Sequence, residues 1–218
     1  MTPTPNRVRV KICGITNPQD AEDAICAGAD ALGFNGFSGS KRYLDLHAAS
    51  EWMASLPAFV TRVAVLVNPT VAEAEAIQAL PGVDRLQFHG DESPEFCERF
   101  APFGFIKALA AKDCHSLLQA KRYRTTSVLL DAFVPGAYGG TGRLIDLQIA
   151  ATFVSDHPSL RVILSGGLTP DNVGAAIRAV RPHAVDVASG VESHSCKKDK
   201  IRMRDFIAAV HENAVFQE

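Results

Sequence analysis

Arg7-Val-Arg-Val-Lys-Ile-Cys-Gly-Ile-Thr16 reads as a buried β-strand that stops on a cysteine and then turns on a single glycine. Seven later segments have the same form: Ala31-Leu-Gly-Phe34, Thr61-Arg-Val-Ala-Val-Leu-Val-Asn68, Arg85-Leu-Gln-Phe-His89, Phe105-Ile-Lys-Ala108, Ser127-Val-Leu-Leu-Asp131, Arg161-Val-Ile-Leu-Ser165 and Ala184-Val-Asp-Val187. Between neighbours lies enough chain for a loop and a helix. A βα unit repeated eight times in about 200 residues is the pattern of a closed parallel sheet, so the expected fold is α/β, a single (β/α)8 TIM barrel. The rival architecture is an open doubly wound sheet, which places a glycine-rich turn straight after its first strand. Cys13-Gly-Ile-Thr16 carries one glycine there, whereas glycine-rich turns follow the sixth, seventh and eighth strands. In barrels those late loops commonly bind phosphate. The placement of the glycines decides for closure.

Helix signals fill the gaps. Asn17-Pro18 offers an N-cap with proline at the first helical position; Ala21, Ala24 and Ile25 form an inner stripe, and Gly28 stops the helix. Thr70 can cap the alanine-rich run 71–80, and Ser93-Pro94-Glu95 opens the next helix. Asp45 to Ser55, Ser116 to Tyr123, Asp146 to Val154, Pro170 to Val180 and Lys198 to Ala214 supply the remaining crossovers. No linker or composition break divides the chain. One barrel domain over residues 1–218 is expected, with 1–6 as a short N-terminal tail.

Composition narrows the function. Hydrophobic residues make up 47% of 218, enough for a large core, and a net charge of −2 gives no electrostatic reason to expect nucleic acid or an anionic membrane. No apolar run approaches the roughly 18 residues that span a bilayer. Met1-Thr-Pro-Thr-Pro-Asn6 lacks the basic and apolar regions of a signal peptide. Cys13, Cys26, Cys97, Cys114 and Cys196 are odd in number, widely spaced and without metal-ligand spacing. They suggest a reducing compartment, so a cytoplasmic enzyme without a metal is expected. No cofactor is expected either, and the assembly is expected to be a monomer or a homodimer.

Alternate residues of a strand share a face. In the first strand Val10 and Ile12 pack outward on helices, turning Lys11 and Cys13 inward. Val128 and Leu130 leave Leu129 and Asp131 inside, Val185 and Val187 leave Asp186 inside, and Leu86 and Phe88 leave Gln87 and His89 inside. Taking Ile106 as outward places Lys107 inside as well. Lys11 and Lys107 read either as structural counter-ions for Asp131 and Asp186 or as participants in the chemistry; His89 and Gln87 read as bracing, and the other four cysteines as inert. Cys13 and Asp131, at carboxyl ends of strands, read as reactive. A thiol beside a cation such as Lys11 is expected to ionise more readily. A carboxyl in an apolar mouth is expected to hold its proton to higher pH, so the pair suits base-then-acid proton transfer.

Tyr138-Gly-Gly-Thr-Gly142, Ser165-Gly-Gly-Leu-Thr169 and Ala188-Ser-Gly-Val191 follow three consecutive strands. Glycine lets backbone N–H groups approach an anion, so Gly140, Gly142, Gly166, Gly167, Ser189 and Gly190 are candidates for holding the phosphate of a small substrate.

The segments Lys11-Ile-Cys-Gly-Ile-Thr16, Gln87-Phe-His-Gly-Asp91, Leu130-Asp131, Tyr138-Gly-Gly-Thr-Gly142, Ile163-Leu-Ser-Gly-Gly-Leu168 with Asn172, Arg181-Pro182, Val185-Asp-Val187 and Ser189-Gly-Val-Glu192 together closely resemble the phosphoribosylanthranilate isomerase family, in order from about residue 8 to 207. The resemblance implies an Amadori rearrangement in tryptophan biosynthesis, from N-(5-phosphoribosyl)anthranilate to 1-(2-carboxyphenylamino)-1-deoxyribulose 5-phosphate. It implies Cys13 as base and Asp131 as acid, Asp186 near the anthranilate nitrogen, and Arg42 at the anthranilate carboxylate. The chain departs from the family pattern at Gly33-Phe-Asn-Gly-Phe-Ser-Gly39, Arg143-Leu-Ile-Asp-Leu147, Ala188 and Ser195-Cys196. The alternatives are another phosphate-binding barrel, such as a sugar-phosphate epimerase or indole-glycerol-phosphate synthase, and a degenerate barrel kept as a phosphate-ligand sensor. Intact Cys13 and Asp131 weigh against the last.

Overall fold

Eight parallel strands pair in chain order until the last returns to the first, so the sheet has no edge. They are β1 (Arg9–Cys13), β2 (Ala31–Asn35), β3 (Thr61–Leu66), β4 (Arg85–Phe88), β5 (Phe105–Ala111), β6 (Ser127–Ala132), β7 (Arg161–Leu164) and β8 (Ala184–Val187). This computed structural model describes residues 7–113, 116–132 and 144–213. The crossovers carry α1 (Pro18–Ala27), α2 (Leu46–Ala54), α3 (Val71–Gln78), α4 (Pro94–Glu98), a 3-10 helix (Ser116–Arg122), α5 (Leu147–Asp156), α6 (Val173–Val180) and α7 (Lys200–Asn213). The expected barrel is the observed one, with strand ends displaced by a few residues at most.

The caps follow the local chemistry. The Asn17 side chain accepts from the Asp20 N–H, and Gly28 ends α1 in the left-handed region. Thr70 and Glu73 close a reciprocal capping box on α3. Two crossovers differ from expectation. The run from Ser116 winds as a 3-10 helix, whose buried residues Leu117 and Ala120 lie one 3-10 turn apart. Helix α6 begins at Val173 and not at Pro170, because Asn172 is used in the preceding turn: its Oδ1 accepts from the Thr169 N–H and its Nδ2 donates to the Gly167 carbonyl.

Inside the barrel lies a small core of Val63, Ile106, Ala108, Leu129, Ile163 and Ala184 with Ala31. The opposite face of each strand joins the larger layer against the helices, where Val10, Ile12, Phe34, Phe88, Leu130, Leu164 and Val187 are buried. This matches the inferred alternation everywhere except on β5. There Ile106 and Ala108 point in and Lys107 points out, reversing the expected assignment. The reason is physical. Phe105, Ile106, Ala108 and Leu109 give β5 apolar residues on both faces, as usual for a strand buried on both sides, so period-two alternation carries no sign.

Candidate active site

Lys107 illustrates the cost of that reversal. Its ammonium donates to the carbonyls of Phe88 and Gly90 and lies 2.8 Å from Glu92 Oε2, with the Tyr123 ring beside it. Glu92 also accepts from the N–H groups of Asn68 and Gly90. Both charges are almost fully buried, and their contacts tie the loop after β4 to the end of β4, to Asn68 after β3 and to Tyr123. Lys107 is therefore a structural counter-ion, and its partner is Glu92, not Asp131 or Asp186. No local sequence pattern marks Glu92, because its partner Lys107 lies on another strand.

The remaining inward residues assemble as expected at the carboxyl ends of the strands. Cys13 ends β1, Asp131 lies at the end of β6, and Asp186 stands in β8 directly opposite Lys11. Lys11 Nζ is 2.7 Å from Asp186 Oδ1, and Ser165 donates its hydroxyl to Asp186 Oδ2 at 3.2 Å. Burial works against the Lys11 charge, but the fields of Asp186 and Cys13 outweigh it and hold the ammonium above its ordinary range. Space for this arrangement comes from β2: a Cβ at Gly33 would lie 2.7 Å from Cys13 Sγ and 2.9 Å from Lys11 Nζ.

The expected activation of Cys13 by Lys11 is reversed in its net effect. Burial raises the thiol, Lys11 lowers it, and Asp186 raises it again, leaving Cys13 above the ordinary thiol range. Lys11 is close, but its charge is already largely spent on Asp186. A thiol held neutral becomes a competent base only when it loses its proton at the moment of need, and a less acidic thiol is the stronger base once ionised.

Asp131 is buried, with Oδ1 accepting from the Ala132 N–H at 2.9 Å and Oδ2 3.3 Å from His89 Nε2. His89 follows β4 directly and is met on its other nitrogen by Gln87 Nε2 at 2.9 Å. The intervening β5 carries small residues here, with Ala108 in the inner core and Ala110 in register with Asp131, so the histidine after β4 reaches across to β6.

Arg42, on the loop between β2 and α2, is not an ordinary loop charge. Its Nε and Nη2 donate to the two carboxylate oxygens of Glu192 at 2.6 and 2.8 Å, and its stem packs on Gly14. Hydrogen bonds to Glu192 raise the guanidinium further, with Cys13 and Cys196 contributing through their fields. Burial alone would push Glu192 up, but Arg42 and Lys198 together hold its carboxyl below the usual range. Lys198 Nζ reaches Glu192 Oε1 at 2.9 Å and the Ala188 carbonyl at 3.0 Å. Glu192 and Lys198 belong to a hairpin of β9 (Glu192–His194) and β10 (Lys197–Lys198) that the sequence did not reveal. Cys196 turns this hairpin at φ +67° and donates its thiol to the Lys41 carbonyl at 2.9 Å, so it is a stitch between two loops.

The loops after β7 and β8 meet. Gly166 and Gly167 both adopt positive φ, +90° and +65°. A Cβ at Gly190 would stand 1.9 Å from the Leu168 carbonyl oxygen, so only glycine fits. Ser189 and Gly190 begin a single 3-10 turn, Ser189–Val191. Gly140 and Gly142 lie outside the described residues, as does Cys114. Among the described residues, no three of His, Cys, Asp or Glu converge as a metal site. No described helix is long and apolar enough to cross a membrane.

Comparison with known proteins places this arrangement. The profile of the family described as N-(5′-phosphoribosyl)anthranilate (PRA) isomerase matches residues 10–209. The N-(5′-phosphoribosyl)anthranilate isomerase of Geobacter metallireducens is 47% identical over 92% of this chain and 97% of its own length. That of Thermotoga neapolitana is 46% identical over 92% and 97%. Among solved structures, the phosphoribosyl anthranilate isomerase of Thermus thermophilus is 34% identical over 94% of this chain and 99% of that one, with a TM-score of 0.85. A phosphoribosyl anthranilate isomerase in complex with reduced 1-(o-carboxyphenylamino)-1-deoxyribulose 5-phosphate is 37% identical over 93% and 98%, with a TM-score of 0.81. With an intact barrel and matches along almost its whole length, the chain belongs to the N-(5′-phosphoribosyl)anthranilate isomerase family.

Proposed function

We propose that this chain isomerises N-(5′-phosphoribosyl)anthranilate to 1-(2-carboxyphenylamino)-1-deoxyribulose 5-phosphate, an Amadori rearrangement in tryptophan biosynthesis. The observation that carries the reading is the placement of one thiol and one buried carboxyl, Cys13 and Asp131, on the inner face at the carboxyl ends of β1 and β6. Asp131 gives a proton to the furanose ring oxygen, the C1′–O bond breaks, and a Schiff base to the anthranilate nitrogen forms. Cys13 takes the C2′ proton, and the electron pair of that C–H bond moves to give the enolamine. Tautomerisation to the ketone completes an isomerisation in which no atom is gained or lost.

In this reading Asp186 lies near the anthranilate nitrogen, and Arg42 receives the anthranilate carboxylate. The pair with Glu192 engages Nε and Nη2 of Arg42 and leaves Nη1 for that task. Gly166, Gly167, Ser189 and Gly190, with Gly140 and Gly142, form the cradle for the 5′-phosphate. The enzyme works in the cytoplasm as one barrel over the whole chain, as monomer or homodimer, without metal or cofactor. Freshly made phosphoribosylanthranilate is fluorescent, so the test is loss of that fluorescence on adding the protein; no loss above the spontaneous rate would refute the assignment.

A further inference from the structure

We propose that Asn35, Ser40 and Cys196 clamp the peptide group that leads into Arg42, and so act as positioning residues for the guanidinium that receives the substrate carboxylate. The inference deepens the proposed reaction and rests on the reading of Arg42 as the carboxylate-binding residue.

The peptide group between Lys41 and Arg42 is held at both of its polar atoms. Its oxygen, on Lys41, accepts from the Cys196 thiol at 2.9 Å, and its N–H, on Arg42, donates to Ser40 Oγ at 3.1 Å. Asn35, the last residue of β2, donates from Nδ2 to the same Ser40 oxygen at 3.0 Å. Both donors are N–H groups that cannot accept, so Ser40 Oγ accepts twice and is fixed from two sides. The Asn35 amide is itself oriented, because its Oδ1 accepts from the Phe37 N–H at 2.9 Å. Its backbone carbonyl accepts from the Leu44 N–H at 2.8 Å, so one residue ties the start of the loop to its end.

This root is one of three holds on Arg42. Its stem lies over Gly14, where a Cβ would come 2.2 Å from Arg42 Cδ, and its tip is engaged by Glu192 through Nε and Nη2. With root, stem and tip fixed, the side chain meets its ligand already ordered, and little rotamer freedom is lost on binding. The segment needs such a clamp because Gly36 and Gly39 loosen it: glycine loses more backbone freedom on ordering than any other residue. Three side-chain hydrogen bonds converge on Ser40 and on the single peptide group before Arg42.

The test reads the clamp with and without a ligand. Hydrogen exchange of the Arg42 amide, followed by NMR in the ligand-free protein, should be slow in the wild type and about tenfold faster or more in Ser40→Ala. With anthranilate as the carboxylate-bearing probe, Ser40→Ala and Asn35→Leu should each weaken binding about tenfold. Cys196→Ala should weaken it about threefold, because a thiol is the weaker donor. Ser40→Thr keeps the hydroxyl and should bind as the wild type does. For phosphoribosylanthranilate, KM should rise in the same proportions while kcat stays within about threefold, a split that a merely structural role would not produce. An Arg42 amide that exchanges freely in the wild type would overturn the proposal. So would unchanged anthranilate affinity in Ser40→Ala and Asn35→Leu, a fall in kcat as large as the rise in KM, or a folded Ser40→Thr that is not rescued. The exchange reading needs no substrate: a protected Arg42 amide in a wild-type protein that neither binds anthranilate nor consumes phosphoribosylanthranilate would keep the clamp and discard the assigned reaction.

Discussion

Lys11 and Asp186 face each other across the seam where β8 closes onto β1, their Cα atoms in register and their charges 2.7 Å apart. The pair has two consequences. It satisfies an ammonium and a carboxylate that could not be buried singly, and it sets the field at Cys13, where Lys11 lowers the thiol and Asp186 raises it. Asp186→Asn should therefore release the Lys11 charge onto Cys13 and move the thiol titration to lower pH. The variant should also lose stability, because an unpaired buried ammonium remains. Thiolate absorbance in the ultraviolet against pH reads the first effect and thermal unfolding the second; an unchanged or upward-shifted titration would contradict the assigned field. At saturating substrate Asp131→Asn should be the more damaged variant, because an amide cannot serve as a strong acid.

Cys13→Ser should lower kcat by about 100-fold or more, the range expected for loss of a positioned base. Because the wild-type thiol is raised by burial, the thiolate population grows on the alkaline side, and kcat should climb with pH until the thiol has titrated. Near-wild-type turnover in a folded serine variant would remove Cys13 from the mechanism.

Glu192 is the residue whose loss should alter binding without touching the chemistry. Glu192→Gln keeps the shape but removes the charge that fixes Arg42 and compensates Lys198. KM should rise about tenfold, close to 1.4 kcal/mol, while kcat falls much less. Equal losses in kcat and kcat/KM would mean that Arg42 acts in the transition state instead.

If the loops after β7 and β8 form the proposed phosphate cradle, sulfate should raise the unfolding temperature of the wild type by binding the folded state. Gly167→Asp puts a negative charge into the cradle, and aspartate tolerates positive φ better than most side chains. The variant should be less stable and should lose the sulfate-dependent increment. An undiminished increment would place the anion elsewhere.

Alkaline stability provides a check on the packing outside the site. Burial pushes the Cys97 thiol up to about 12, from an ordinary 9.0. Above pH 9.0 the unfolded chain releases that proton while the folded chain keeps it, so stability falls as pH rises through the interval to about 12. Tyr123, also raised to about 12 by burial, adds to the same slope from 10.0 upward. Cys97→Ala should flatten the decline seen in denaturant titrations at increasing pH, although it also leaves a small cavity. A slope unchanged by the substitution would show that the thiol does not titrate with unfolding.

The barrel was legible because strands buried against helices leave alternate positions for chemistry. Val10 and Ile12 reveal the inward Lys11 and Cys13, and Val128 and Leu130 reveal Asp131. Where both faces are apolar, as on β5, the same logic fails and Lys107 is turned the wrong way. Electrostatics was less legible than position. The proximity of Lys11 to Cys13 was visible in sequence, but the register that spends its charge on Asp186 was not. Glu192 meets Arg42 across 150 positions of chain, a separation at which no local pattern announces a partner.

The β9–β10 hairpin has a bearing on redesign. Through Glu192 and Cys196 it fastens the loop after β2, and through Lys198 it grips the Ala188 carbonyl at the start of the loop after β8. The Lys198 N–H also binds Asp20 of α1. Barrel loops are commonly treated as exchangeable modules, each graftable onto its own strand without regard to the others. In this chain two of them share one fastening, so transplanting either alone would carry half of a joint. A graft at this end of the barrel should move both loops together, with the β2 segment through Arg42 and the β8 segment through Lys198 as a single transferable part.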